Sequence, residues 1–195
     1  MKYLNILVIA IVLAGCNSKP SSENEGNEMH DHSAPAAKTE ETKKPLSPRT
    51  MAMSNIGDNH VHIDYGSPSK RGRMIFGGLV GYGTVWATGA HKATNINFSK
   101  DAVVNGVAVP AGKYGLFTIP NETEWTIIIS KDWDMHLADN YNEANDIVRV
   151  QAPVETLPES VESLTFAVEP NDDNAGRVTI SWDMVRVGFG VTNKP

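Results

Sequence analysis

The side chains best suited to binding chemistry lie in a glycine-rich run, residues 66–94, which holds seven of the 16 glycines. Glycine at this density favours a loop that approaches another group closely, rather than a regular helix. Guanidinium groups in such a loop can grip carboxylate or phosphate, and aromatic rings offer a surface to a sugar or a hydrophobic peptide. The candidate ligand-binding residues are Arg71, Arg73, Tyr82, Trp86, His91 and Lys92.

These residues also have a structural interpretation, which the sequence leaves open. In the basic turn 70–73, the Arg71 and Arg73 side chains can pair with the protein's own carboxylates, such as Asp64 or Asp183, because structural ion pairs are common. The aromatic residues of the run, Trp86 above all, can instead anchor a long loop onto the core.

Two nucleotide-binding motifs can be excluded from the glycine run. Gly78 and Gly83 have the spacing of a phosphate-binding loop, but Thr84 stands where the phosphate-binding lysine is required. Gly81 and Gly83 begin a dinucleotide fingerprint, but Trp86 occupies the position of the third glycine.

His91 is the residue most able to support catalysis, as a general base or a ligand, but no carboxylate accompanies it at a fixed spacing. The chain lacks the Gly-x-Ser-x-Gly and His-Glu-x-x-His motifs of common hydrolases. His60, His62 and Asp64 share one face of a predicted strand, which we interpret as a solvated face and not a metal site. We therefore predict no catalytic residue, no bound metal and no cofactor.

The N-terminal residues 1–15 are typical of a lipoprotein signal peptide. Lys2 precedes a short apolar stretch, and the segment ends in Leu13-Ala14-Gly15-Cys16, which resembles a bacterial lipobox with Cys16 as the lipidated residue. Cys16 is the single cysteine, so none remains for a disulfide or a thiol nucleophile. An aspartate directly after the cysteine resembles an inner-membrane retention signal of some bacteria, but this chain has Asn17 there. We therefore expect the protein in the outer membrane, facing the periplasm or the surface.

Residues 16–46 are predicted to be a disordered tether, because their polar composition cannot bury enough surface to offset ordering entropy. His30 and His32 within it could bind a metal only weakly, since one His-x-His pair makes a poor site.

Removal of the signal peptide takes away Lys2 alone among the charged residues, leaving 16 basic and 23 acidic side chains. This acidity argues against nucleic acid as a partner.

Residues 47–195 are predicted to form one domain with a period of two in hydrophobicity. Asn105-Gly106 between two apolar arms is a strong hairpin signal, and the adjacent Met184 and Val185 require a bulge or bend. One helical turn is expected in the connection 131–146. About nine strands separated by turn residues indicate an all-β fold, an antiparallel, jelly-roll-like β-sandwich with little helix. The clearest strands are 60–65, 95–98, 114–119, 124–130, 147–152, 164–168 and 178–191.

Several strings of this domain resemble the DUF2911 family, a domain of unknown function in secreted and lipid-anchored proteins of Bacteroidota-type bacteria. The resemblance covers residues 47–191 and implies no established activity. The family's usual form has Arg after the Trp and Asn-Glu before the Ala-Thr pair, where this chain has Ala87, His91 and Lys92. The matching strings are Tyr65-Gly-Ser-Pro-Ser-Lys-Arg-Gly-Arg73, Ile75-Phe-Gly-Gly78, Val85-Trp-Ala-Thr-Gly-Ala90, Ala93-Thr94, Pro110-Ala-Gly-Lys-Tyr-Gly-Leu-Phe-Thr-Ile-Pro120 and Glu124-Trp125.

The sequence thus favours a lipid-anchored envelope protein whose domain binds a glycan, an anion or an envelope protein through the loop 67–94. Two alternatives remain: a hydrolase of envelope glycans or peptides that uses His91, and a purely structural envelope lipoprotein.

Overall fold

The structure, a computed structural model, describes residues 45–194 and is built almost wholly of β-strands. The signal peptide, Cys16, most of the tether and the His30–His32 pair lie outside the described residues. Within 45–194, no helix has the length and apolar character of a membrane span. The strands are β1 (Arg49–Ile56), β2 (Asn59–Gly66), β3 (Asn95–Phe98), β4 (Ala102–Val104), β5 (Val107–Val109), β6 (Gly112–Ile119), β7 (Glu124–Ser130), β8 (Asp146–Pro153), β9 (Glu155–Pro170) and β10 (Ala175–Asn193).

The strands form two sheets, which confirms the predicted antiparallel β-sandwich. The larger sheet has six strands in the order β1-β2-β3-β6-β7-β8, and the smaller has four in the order β5-β4-β10-β9. All pairings between neighbouring strands are antiparallel. The chain leaves the larger sheet after β3, forms the β4–β5 hairpin in the smaller sheet, and returns at β6.

The main core lies between the two sheets and is filled by the inward-facing residues, which alternate along each strand with outward-facing ones. In β2, Val61, Ile63 and Tyr65 are buried, while His60 is exposed and His62 and Asp64 are half-buried on the other face, as the alternation predicts. The largest fully buried side chains include Trp125 of the larger sheet and Trp182 of the smaller one.

Two local predictions about backbone geometry are confirmed. Asn105 and Gly106 join β4 to β5 with φ of 42° and 88°, the left-handed pair that a tight hairpin turn requires. The register between β9 and β10 shifts on both sides of Asp183, whose φ is 53°. This bulge absorbs the change of phase that the sequence shows near Met184 and Val185.

Strand β1 was not predicted, because its hydrophobic alternation runs opposite to its burial. Met51 and Met53 are 54% and 50% exposed, whereas the smaller Thr50 and Ser54 face inward.

Strand β9 begins nine residues before the predicted 164–168 strand. It is an edge strand, where exposed glutamates and a proline such as Pro158 are tolerated.

A second, smaller core lies on the outer face of the larger sheet. Phe117 of β6 and Ile128 of β7 are fully buried there beneath Ala87 and Ala93 of the glycine-rich loop. The connection 131–145, which contains the predicted helical turn as a 3-10 helix at Glu143–Asn145, completes the cover with Met135, Ala138 and Tyr141. Two loops are thus packed over β6–β8, and the outer face of β1–β3 is left open.

Candidate functional site

The glycine-rich loop 67–94 is irregular but tied to both sheets. At its start, the Lys70 N–H donates to the Glu162 carbonyl at 2.7 Å, and the Leu164 N–H donates to the Pro68 carbonyl at 3.0 Å. Further on, Trp86 and Thr118 of β6 exchange backbone hydrogen bonds of 2.8 and 3.0 Å. The loop therefore runs from the smaller sheet to the larger one across one end of the sandwich.

The end of this loop pairs with the connection 131–145. The Leu137 N–H donates to the His91 carbonyl at 2.7 Å, and the Ala93 N–H donates to the Met135 carbonyl at 3.0 Å. The loop also crosses close to β2, since a Cβ at Gly66 would lie 2.3 Å from the Ala90 carbonyl oxygen. These contacts bring Leu137, from a distant segment, beside His91.

Trp86 anchors the loop to the core, in agreement with the structural interpretation of this residue. Its indole stacks on that of Trp182, with centroids 6.0 Å apart, and makes edge contacts with Trp125 and Phe76. Its ring N–H donates to the Gly89 carbonyl at 3.2 Å. Trp86 is nevertheless half-buried, so part of the ring remains accessible.

The turn after Trp86 holds two non-glycine residues in left-handed conformations, which are uncommon for such residues. Thr88 has φ of 49° and is fully buried, and its hydroxyl donates to the Thr118 hydroxyl at 3.1 Å. His91 has φ of 65° and an exposed side chain. The surrounding backbone hydrogen bonds hold this turn in place.

Arg73, Trp86 and His91 line one cavity of about 360 Å³ at this end of the sandwich. The loop therefore brings together three of the six predicted ligand-binding residues. The remaining wall is mainly apolar and includes Pro68, Leu79, Val80, Ala90, Leu137 and Trp182. Sequence reasoning missed these, and for Leu137 and Trp182 the sequence carries no local signal, because they come from a polar connection and from the far strand β10.

The guanidinium of Arg73 is oriented by its own turn. Its Nε donates to the Lys70 carbonyl at 3.0 Å and its Nη2 donates to the Ser69 carbonyl at 2.6 Å. Within the described residues no carboxylate pairs with Arg73, and its Nη1 makes no hydrogen bond. Two N–H groups of that nitrogen therefore remain for an anionic ligand.

His91 has no catalytic partner in the described part of the chain. No side-chain hydrogen bond reaches its imidazole there, and no acidic residue is among those that line the cavity. A general base requires a partner that orients it, or a proton donor within hydrogen-bond reach. The cavity can therefore hold an anion against an apolar wall, but these residues supply no acid–base pair.

The other three candidate residues lie elsewhere. Arg71 lines a separate cavity of about 570 Å³, where its Nη2 donates to the Leu46 carbonyl at 2.7 Å. Tyr82 is 40% exposed and lies over Gly77. Lys92 lies on the outer face of the larger sheet, with its ammonium 3.6 Å from Asp134.

The interpretation in which Arg71 and Arg73 pair with Asp64 or Asp183 is wrong, because other residues pair with both carboxylates. Lys70 forms an ion pair with Asp183, and the Ser160 hydroxyl donates to the same carboxylate oxygen at 2.9 Å. The hydrogen bond from Lys70 lowers the pKa of the Asp183 carboxyl below its ordinary value, although partial burial opposes this. Asp64 pairs instead with Arg49, on the other side of the sandwich.

Metal chemistry finds no support in residues 45–194, where no group of three or more His, Cys, Asp or Glu side chains is placed to hold an ion. His60, His62 and Asp64 line a shallow depression with two asparagines and a lysine, in which too few ligands converge for a metal.

Comparison with known proteins identifies a family but no characterised relative. Neither a curated protein nor a solved structure matches the chain. The family described as "Protein of unknown function (DUF2911)" matches residues 47–191, which is most of the chain. That range includes every strand up to β9, most of β10, and all the residues named above that line the cavity of Arg73, Trp86 and His91. The chain therefore belongs to the DUF2911 family.

Proposed function

We propose that this protein is a lipid-anchored protein of the cell envelope, held in the outer membrane through Cys16, whose β-sandwich domain binds a ligand through the loop 67–94. The observation that supports the binding role is the convergence of Arg73, Trp86 and His91 on one cavity. The lipobox at residues 13–16 supports the anchoring and the location.

The cavity favours a small ligand with an apolar body and one anionic group. Its volume of about 360 Å³ lies within the range of small-molecule sites, and such sites are mostly apolar with a few placed polar groups. The free N–H groups of Arg73 suit a carboxylate or a phosphate, and the wall formed by Trp86, Leu79 and Leu137 suits an aliphatic or aromatic body.

The two alternatives differ in their support. The hydrolase alternative has no favourable observation, because no carboxylate accompanies His91 among the residues that line the cavity. The purely structural alternative predicts that no small molecule binds, so a binding measurement separates it from our proposal.

The test is a thermal-shift screen of the purified protein with decanoate, N-acetylphenylalanine and hexyl phosphate, followed by calorimetry. A ligand at 100 times its Kd stabilises a protein by about 2.7 kcal/mol. For a protein of this length, each kcal/mol of stabilisation raises the melting temperature by roughly 2–4 °C. We expect at least one of these amphiphilic anions to bind.

Substitutions then locate the site. Arg73→Ala should weaken binding at least tenfold, and Arg73→Lys should restore only part of it, because an ammonium lacks the planar fork of a guanidinium. Arg71→Ala is the matched control, since Arg71 lies in a different cavity. The proposal fails if none of the three anions binds, or if Arg71→Ala weakens binding as much as Arg73→Ala does.

A further inference from the structure

The open part of the outer face of the larger sheet carries a polar groove that is separate from the cavity described above. Two adjoining depressions, of about 350 and 150 Å³, share Asp64, Asn95 and Lys113. The first also contains His60, His62 and Asn97. The second ends at Trp133 and Asp134 of the connection 131–145. We call this surface the outer groove.

Asn95 forms the floor of the outer groove and has no partner for its amide. The residue is only 6% exposed, yet its side chain makes no hydrogen bond among the residues the structure describes. The described side-chain atoms that are fully buried without a hydrogen bond belong to Asp146 and Asn193, so the Asn95 amide is accessible from both depressions, where a ligand can supply a donor and an acceptor.

Trp133 forms the wall of the groove and is a further sign of a ligand. Its indole is 39% exposed, although a ring of this size is usually well buried. The Lys113 ammonium lies 4.1 Å from the ring centroid, in a cation–π contact. The groove thus presents an exposed aromatic surface beside polar side chains.

Lys113 is also the one cation of the groove that lacks a carboxylate partner within the described residues. Arg49 is paired with Asp64, and Lys92 is paired with Asp134. Neither these nor the other described ion pairs include Lys113, although it is exposed. The outer groove therefore has room for one more negative charge, next to Trp133.

The sheet sets these polar groups in a row. His62 of β2, Asn97 of β3 and Lys113 of β6 are direct cross-strand partners, and Asp64 is opposite Asn95 in the same way. Neighbouring strands lie about 4.7–4.9 Å apart, so successive polar groups of the row repeat at that distance. A row of donors and acceptors at this spacing suits a ligand with many hydroxyl groups.

From these observations we propose that the outer groove binds an acidic oligosaccharide, with sugar rings packed on Trp133, hydroxyl groups bonded to Asn95 and Asn97, and a sugar carboxylate against Lys113. Aromatic rings and planar amides supply the apolar and hydrogen-bonding contacts that a sugar ring needs. Nucleic acid fits poorly, because it is bound through many phosphate contacts, whereas Lys113 is the one unpaired cation of the groove within the described residues. An apolar peptide would leave the polar floor unpaired.

The test is isothermal titration of the purified protein with hexasaccharides of galacturonate and of mannuronate. Cellohexaose is the neutral comparison, and hexaglutamate is a comparison with carboxylates but no sugar. We expect at least one uronate hexamer to bind and both comparisons to bind at least tenfold more weakly. The proposal is overturned if neither uronate binds, or if hexaglutamate binds as well as the uronates do.

Variants assign the binding to the outer groove. Asn95→Ala, Trp133→Ala and Lys113→Gln should each weaken uronate binding at least fivefold. Tyr82→Ala is the control for Trp133, since the two rings are 40% and 39% exposed, and Asn121→Ala is the control for an exposed amide. Equal losses in the controls would overturn the assignment. Arg73→Ala should leave uronate binding unchanged, so the outcome is independent of the cavity at the end of the sandwich.

Discussion

The indoles of Trp86 and Trp182 lie with their centroids 6.0 Å apart and their planes inclined by 21°. Trp86 belongs to the glycine-rich loop and Trp182 to β10 of the smaller sheet. Because Trp86 also shares backbone hydrogen bonds with β6 of the larger sheet, it joins the loop to both layers of the sandwich. This junction forms the floor of the cavity that Arg73 and His91 line.

Replacing Trp86 should therefore destabilise the whole domain. Truncating a large aromatic residue in the core costs about 3–5 kcal/mol, and for the half-buried Trp86→Ala we expect about 3 kcal/mol. Urea denaturation measures the difference in the free energy of unfolding. Trp133→Ala is the control, with an expected loss below about 1 kcal/mol. A loss below 1 kcal/mol for Trp86→Ala would contradict the anchoring role.

Gly115 of β6 allows the connection 131–145 to cross the outer face of the larger sheet. A Cβ at Gly115 would lie 2.2 Å from the Asp132 carbonyl oxygen, a backbone atom that cannot yield without moving the connection. We expect Gly115→Ala to destabilise the protein by about 2 kcal/mol, within the range for overpacked sites. We also expect faster hydrogen exchange at Ala93 and Leu137.

Gly81→Ala is the matched control for this change. The nearest atom to a Cβ there is the Thr84 hydroxyl, at 3.3 Å, which can rotate away. If both alanine variants have the stability and exchange rates of the parent, the close approach at Gly115 is not a constraint on the connection.

The Lys70–Asp183 pair should make stability depend on pH in acid. The pKa of the Asp183 carboxyl is lowered in the folded protein, chiefly by the hydrogen bond from Lys70. Its stabilising contribution is therefore present above the unfolded pKa of about 3.9 and is lost as the pH falls through the lower folded pKa. At neutral pH we expect Asp183→Asn to lower the free energy of unfolding by about 1 kcal/mol.

The difference between the parent and Asp183→Asn should shrink as the pH drops below about 4, and guanidinium denaturation at several pH values measures it. Lys70→Met tests the same pair from the other side, and its effect should not add to that of Asp183→Asn. A difference that stays constant from pH 7 to pH 2 would exclude this contribution.

Cys16 should determine where the protein is found in the cell. If it carries the lipid anchor, the parent protein will sediment with the outer membrane, whereas Cys16→Ser will be recovered in the soluble periplasmic fraction. Several acyl chains on one residue hold it effectively permanently, at about 0.8 kcal/mol for each buried methylene. Membrane retention of Cys16→Ser would contradict the proposed anchor.

Much of the fold could be predicted from the sequence, because strand alternation and turn residues are local signals. Strand β2 is predicted by its alternation, and the hairpin by its Asn105-Gly106 turn, and the structure has both. Strand β1 could not be predicted, because its methionines face outward, which reverses the usual pattern of apolar residues inward. An edge strand tolerates that reversal, and the sequence does not reveal which strands will be edges.

The sequence by itself determined the fold class, the family and the glycine-rich loop, whereas the lipid anchor at residues 13–16 stays a prediction. Only the tertiary structure decided which of the candidate side chains meet. It separated Arg73, Trp86 and His91 from Arg71, Tyr82 and Lys92, and it placed Asn95 beside Trp133. The physical reason is that each site joins segments that are distant in the sequence and that no local period relates.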